Sequence, residues 1–120
     1  MSDISSHELD DRLPLSALSL HILLSLGNGP AHGYAIGKEI EERSGGALNP
    51  TTGALYQALK RLRDDGLVEP APEETERAAD ARRRYFRLTE LGRKAVALEA
   101  ERLEGLLRAA RAAKLYPTSP

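Results

Sequence analysis

The residues best equipped for chemistry gather between Thr51 and Arg61. Thr51, Thr52, Gln57, Lys60 and Arg61 offer hydroxyl, amide and cationic groups, Tyr56 stands among them, and no carboxylate occurs from Asn49 to Arg63. Such a set hydrogen-bonds base edges and contacts phosphates; it does not make or break covalent bonds. Other candidates fall short. Ser6, His7 and Asp10 crowd a polar terminus that cannot hold a catalytic geometry. His21 has no second His, Asp or Glu at ligand spacing, so it reads as a partly buried histidine with a local hydrogen bond. The absence of cysteine excludes disulfides, zinc–thiolate sites and thiol nucleophiles. With no carboxylate pair, His cluster or phosphate loop legible, neither an enzyme nor a metal or cofactor site is expected.

The elements that must position this set can be read on either side of it. Leu55, Leu59 and Leu62, with Ala58 beside them, recur at spacings of four and three, so they share one buried stripe of a helix whose other face is polar. Asn49 before Pro50 predicts the start of that helix, Asn49 as cap and Pro50 in the first helical position. Upstream, Leu15 to Leu26 is dense in Leu and Ile and predicts a central buried helix, ended by Gly27-Asn28-Gly29-Pro30. His32 to Arg43 predicts another, with Tyr34, Ile36 and Ile40 inward and Lys38, Glu39, Glu41, Glu42 and Arg43 in solvent. Ser44-Gly45-Gly46 stops it. Two short helices joined by a Gly-containing turn make a helix-turn-helix.

Downstream, Leu67-Val68-Glu69 reads as a short strand, and Arg84 to Leu88 alternates with Phe86 and Leu88 on one face. Residues 70–83 lack periodicity and read as a long polar loop, so the two strands make a β-hairpin wing. Its charge is divided: Glu73, Glu74 and Glu76 precede Arg82, Arg83 and Arg84, and only the arginine half suits a phosphate backbone. Thr89 then caps a last helix reaching about Lys114. Val96, Leu103 and Ala110 repeat every seven residues, flanked by Ala100 and Leu107 on one side and Leu106 on the other. A helix of about 25 residues extends roughly 37 Å, further than so small a domain covers. Its stripe calls for another surface, most simply the same helix of a second subunit.

At 120 residues and a formal net charge of -1, the chain is one domain without a global basic signature, so an argument for a nucleic-acid partner rests on where the charges sit. No apolar run is long enough to span a bilayer, and the polar N-terminus is no secretion signal. A cytoplasmic protein without a membrane partner is expected.

Read together, His32-Gly33-Tyr34 with Ile36, Gly53-Ala54-Leu55-Tyr56 through Leu59 and Leu62 to Gly66-Leu67-Val68, and Tyr85-Phe86-Arg87-Leu88-Thr89 with Gly92 resemble the PadR family of bacterial transcriptional regulators. The likeness covers roughly Leu18 to Ala95 and is similar to the compact branch of that family, whose short C-terminal segment mediates dimerisation. It implies that His32, Tyr34 and Tyr56 contact DNA, the two tyrosines at phosphates. It implies that Thr51, Thr52, Gln57 and Lys60 face base edges and that the basic end of the wing touches a flanking phosphate or the minor groove. Most of the affinity is expected from phosphate contacts by Lys60, Arg61 and the wing arginines. The resemblance also implies a small-molecule effector between subunits, which nothing in the sequence identifies. Gln57 stands where many members carry Pro, so base preference does not transfer. Trp is absent, which argues against flat aromatic ligands.

The expected fold is mainly α with a small β-wing, a winged helix-turn-helix plus a C-terminal dimerisation helix. Residues 1–13 would be a flexible segment or short helix, 14–92 the DNA-binding domain, 93–116 the dimerisation helix and 117–120 a disordered tail. The expected function is sequence-specific regulation, as a homodimeric repressor on double-stranded DNA with a near-palindromic operator. The alternative is a winged-helix protein-interaction module without a DNA partner.

Overall fold

A computed structural model describes Leu9, residues 12–77 and residues 83–117 of the chain. The expectations for residues 1–8 and 118–120 lie outside the described residues. Helix α1 (Ala17–Ser25) starts after Ser16, whose hydroxyl accepts from the Ser19 amide at 3.1 Å. Ile22, Leu23 and Leu26 are at most 1% exposed, so this segment is the buried centre that its composition predicts. A two-residue strand β1 (Ala31–His32) leads into α2 (Gly33–Arg43).

Two expectations for α2 need correcting. Tyr34 is 64% exposed, not inward, whereas Ile36 and Ile40 are fully buried. At 100° per residue Tyr34 lies about 200° from Ile36, on the far side of the helix, while the four-residue step from Ile36 to Ile40 keeps one face. Arg43 is not simply solvated. It donates to the His21 carbonyl at 3.3 Å and to Ser25 Oγ at 3.1 Å, and its Nη1 lies 3.2 Å from His21 Nδ1. The local hydrogen bond expected of His21 is thus to Arg43, which ties α2 to α1.

Helix α3 (Thr52–Asp64) begins later than Asn49-Pro50 predicted: the cap is Thr51, whose hydroxyl accepts from the Ala54 amide at 3.1 Å. A Thr hydroxyl one residue beyond Pro50 satisfies an orphan amide that Asn49 would have served only with Pro50 already helical. Leu55, Ala58, Leu59 and Leu62 are buried as their spacing requires, against α1 and α2.

Strand β2 (Val68–Pro70), helix α4 (Pro72–Arg77) and strand β3 (Tyr85–Leu88) form the wing. Residues 70–83 are therefore not all loop. Pro72 begins a short helix with Glu73 and Glu74 in its first turn and Arg77 in its last, each suited to the helix dipole. The sheet is antiparallel in the order β1-β3-β2, Ala31 pairing with Phe86 and Val68 with Leu88. The strand β1, too short to show a period, binds the wing to the start of α2.

Helix α5 (Glu90–Ala112) is capped by Thr89, whose Oγ accepts from the Gly92 amide at 3.0 Å and donates to the Gly66 carbonyl at 2.6 Å. Gly92 is required here: a Cβ would fall 2.1 Å from the Leu67 carbonyl oxygen. The first turns of α5 complete the core through Ala95, with Leu91, Val96 and Leu98 packed against it. Val96 thus serves the chain's own core. Ala100, Leu103 and Leu106 are exposed and Leu107 and Ala110 half-exposed.

Candidate nucleic-acid interface

Because Leu55, Leu59 and Leu62 fix one side of α3 in the core, its other side is presented outward. Thr51, Thr52, Tyr56, Gln57, Lys60 and Arg61 are all exposed, as their spacing predicts. Lys60 reaches back to Asp64 at 3.3 Å, and with both side chains more than half exposed the pair can open toward a phosphate at little expense. An open cleft of about 410 Å³ separates α2 from α3, walled by Tyr34, Lys38, Asn49, Thr52 and Tyr56, with Glu41 adding a carboxylate.

Tyr56 is held by a steric fit. Its hydroxyl lies across the first turn of α2, where a Cβ on Gly33 would approach it to 2.5 Å. A side chain at position 33 would therefore push the Tyr56 ring from this place.

The wing meets α2 at His32. The imidazole Nδ1 lies 3.2 Å from the Ala35 amide, in the capping position of α2, and Nε2 lies 3.1 Å from Nη1 of Arg83. The Tyr85 ring meets the imidazole edge-on at 5.1 Å, and the Tyr34 ring is stacked beside it at 6.4 Å. The Arg83 guanidinium and Lys38 Nζ each lie 5.6 Å from the Tyr34 ring centre. Burial first, and then the Arg83 cation, hold the His32 pKa below its ordinary value. Both effects favour the neutral ring.

The structure thus brings His32, Tyr34 and Arg83 together and sets Tyr56 against the same turn. Arg84 is exposed next to Arg83, and Arg82 lies outside the described residues. Spacing alone missed Lys38, although it stands four residues after Tyr34 and so shares its face. It also missed Tyr85, whose alternation pointed away from the core without naming a neighbour.

The wing's acidic half is partly neutralised within the chain. Arg87 bonds Glu69 at 2.7 Å and also Glu73, and Arg77 pairs with Glu74 at 3.3 Å. The Glu73 carboxyl is held below its ordinary pKa first by its own backbone amide and then by Arg87, net of some desolvation. Repulsion of a phosphate backbone by this half is reduced accordingly. Among the described residues no group of three or more His, Asp or Glu side chains could hold a metal ion, and no helix is long and apolar enough to cross a membrane.

Comparison with known proteins agrees with this geometry. The family model described as transcriptional regulator PadR-like matches residues 22–98. An uncharacterised 37.1 kDa protein of transposon TN4556 from Streptomyces fradiae is 42% identical over 85 residues, 71% of this chain but 22% of that protein's length. Among solved structures, a PadR family transcription regulator from Clostridium difficile superposes with a TM-score of 0.68 at 20% identity, over 81% of this chain and 97% of that one. At that identity the likeness shows the fold. RosR from H. salinarum is 30% identical, with a TM-score of 0.58 over 84% of this chain and 97% of its own.

Proposed function

Because this chain belongs to the PadR-like family of transcriptional regulators, we propose that it acts as a homodimeric repressor whose two α3 helices read half-sites of one near-palindromic operator. The family is one of DNA-binding transcription regulators and not of enzymes. The observation that carries the finer reading is the acid-free donor face of α3, exposed from Thr51 to Arg61, with Arg83 of the wing set against the start of α2.

In this reading Gln57 and the two threonines face base edges, and Lys60, Arg61 and the wing arginines face phosphates. Half-sites would stand about 34–36 Å apart, one turn of the duplex. Dimerisation is supported by α5, whose 23 residues extend roughly 35 Å at 1.5 Å per residue. Beyond Glu99 its Leu103 and Leu106 are 42% and 56% exposed in the single chain. An effector bound between subunits would act by favouring dimers whose recognition helices no longer match that spacing.

Selection of bound duplexes from random sequence, followed by sedimentation of the free protein, tests the reading. The expected outcome is one enriched inverted repeat and a dimer at micromolar concentration. Recovery of unrelated sequences, or a monomer at that concentration, would refute it.

A further inference from the structure

A second cleft, of about 710 Å³, lies where the end of α3 meets the wing, and it shares no lining residue with the cleft between α2 and α3. Part of its lining is apolar. Pro70 and Phe86 are register partners in the β2–β3 ladder, and Pro72 opens α4. The wall is fixed by hydrogen bonds: the Ala71 amide donates to the Tyr85 carbonyl at 2.8 Å, and Thr75 Oγ accepts from the Tyr85 amide at 2.9 Å. Helix α4 is thereby held against β3. Two guanidiniums from different elements line the same space, Arg63 from the last turn of α3 and Arg84 from the start of the returning strand. Both residues are exposed, and among the described residues neither makes a side-chain hydrogen bond or ion pair. The other wing cations differ, since Arg77 is taken by Glu74, and Arg87 by Glu69 and Glu73.

A cleft of this size, with apolar surface and a few charged groups, suits a small organic ligand. Two guanidiniums without a partner call for an oxyanion, which each can grip through paired N–H donors. Glu76 also lines the cleft, so two cations and one carboxylate leave one positive charge. That balance favours a singly charged carboxylate over a phosphate monoester carrying nearly two negative charges. The body of the ligand is set by the prolines, whose saturated rings are exposed, whereas Phe86 is only 8% exposed and the Tyr85 ring is edge-on to His32. We propose that this cleft binds a small aliphatic carboxylate, its head between Arg63 and Arg84 and its chain against Pro70 and Pro72. Every group belongs to one subunit, so the site is separate from an effector site between subunits. Arg84 is then shared: in the DNA binding described above it faces a phosphate, and a bound carboxylate withdraws it, so that the two ligands oppose each other.

Titration of the free protein with octanoate, followed through the amide resonances of Thr75 and Phe86, tests the site. The expected result is saturable shifts at one site per chain. Arg63→Ala and Arg84→Ala, surface changes that leave the fold intact, should each weaken octanoate about tenfold, as for a lost charge-assisted hydrogen bond. Octan-1-ol, with the same chain and no charge, should bind more weakly by at least that factor. Octyl phosphate should bind more weakly than octanoate in the wild type and regain affinity in Glu76→Gln. With octanoate saturating, the wild type should hold a duplex several-fold less tightly, and Arg84→Ala should show no such change. Absence of saturable shifts, octan-1-ol binding as well as octanoate, or full affinity in both arginine variants would each overturn the site. An octanoate site that left duplex affinity untouched would overturn the sharing of Arg84. A protein that retained no duplex would instead overturn the DNA reading, while the titration of the free protein would still decide the cleft.

Discussion

Helices α3 and α5 are both amphipathic, yet their unburied sides are opposite in kind. The apolar stripe of α3 is consumed within the chain, with Leu55, Leu59 and Leu62 at most 4% exposed, and what remains outside is polar and cationic. On the second half of α5 the outside carries a stripe of apolar side chains, Leu103 and Leu106 among them, between charged residues such as Glu101, Glu104 and Arg108. A polar free face gains little from another apolar surface and is suited to a polyanion. An apolar free face gains most from a copy of itself, at about 25 cal/mol per Å² of apolar area removed from water. One chain thus presents two surfaces that call for two different partners, and substitutions can tell them apart.

The sharpest contrast comes from equal chemistry on the two helices. Leu59→Ala should destabilise the protein by about 2–5 kcal/mol, because a fully buried side chain leaves a cavity. Its denaturation midpoint should fall regardless of protein concentration. Leu103→Asp with Leu106→Asp should instead leave the helix content of the dilute protein intact and raise the dimer dissociation constant at least about 100-fold, the equivalent of burying two leucines only partly. Sedimentation across a concentration series decides between them. A loss of fold in the second variant at every concentration would mean that α5 packs back on its own chain, and the contrast would fail.

The boundary between the two behaviours within α5 is Glu99. Its residue is 1% exposed, and its carboxylate accepts from the Leu15 amide at 3.1 Å and from Arg102 at 3.0 and 3.2 Å. The Arg102 hydrogen bond first, and then the Leu15 amide, hold the carboxyl below its ordinary pKa against desolvation. Since the folded value is depressed, the stabilisation is complete above the unfolded carboxylate range, near pH 4.3. It is lost as pH falls through the folded value. Glu99→Gln should therefore cost about 1–3 kcal/mol at pH 7 and almost nothing at the lowest pH at which both proteins still fold. Urea denaturation at several pH values measures this. A cost that stays constant down the pH range would show that shape and not charge matters at this junction.

How much of this was legible in the sequence follows the range of the interactions. The stripe of α3 and the alternation of β3 are set within a few residues, so spacing reveals them, and the exposed set from Thr51 to Arg61 came with them. Tyr34 was misread because an aromatic among isoleucines looks like core, although its angle from Ile36 excludes one face. The helix α4 and the strand β1 are too short for a period to register. What no local pattern can supply is a meeting of distant residues. Glu99 reaches an amide 84 positions away, and Arg83 meets His32 across 51, so the α5 anchor and the wing junction emerge only once the chain is folded.

The finest test of the contrast lies within the face of α3, where stability should hardly change. Gln57 and Lys60 are both exposed, so alanine at either should alter folding by no more than about 0.5 kcal/mol. Their losses on DNA should nevertheless differ in pattern. If Gln57 pairs with a base edge, Gln57→Ala gives up about 1–3 kcal/mol against the preferred base pair and almost nothing against its replacements. If Lys60 neutralises a phosphate, Lys60→Ala weakens all sequences together and reduces the slope of log K against log salt by about 0.9. The Asp64 carboxylate at 3.3 Å makes the second prediction sharper. Asp64→Asn should raise affinity slightly by releasing Lys60, and should do nothing once Lys60 is alanine. Binding profiles for the wild type and these four variants on a panel of single-base variants at two salt concentrations would resolve the roles, and matching profiles for Gln57→Ala and Lys60→Ala would count against the division of this face into reading and anchoring groups.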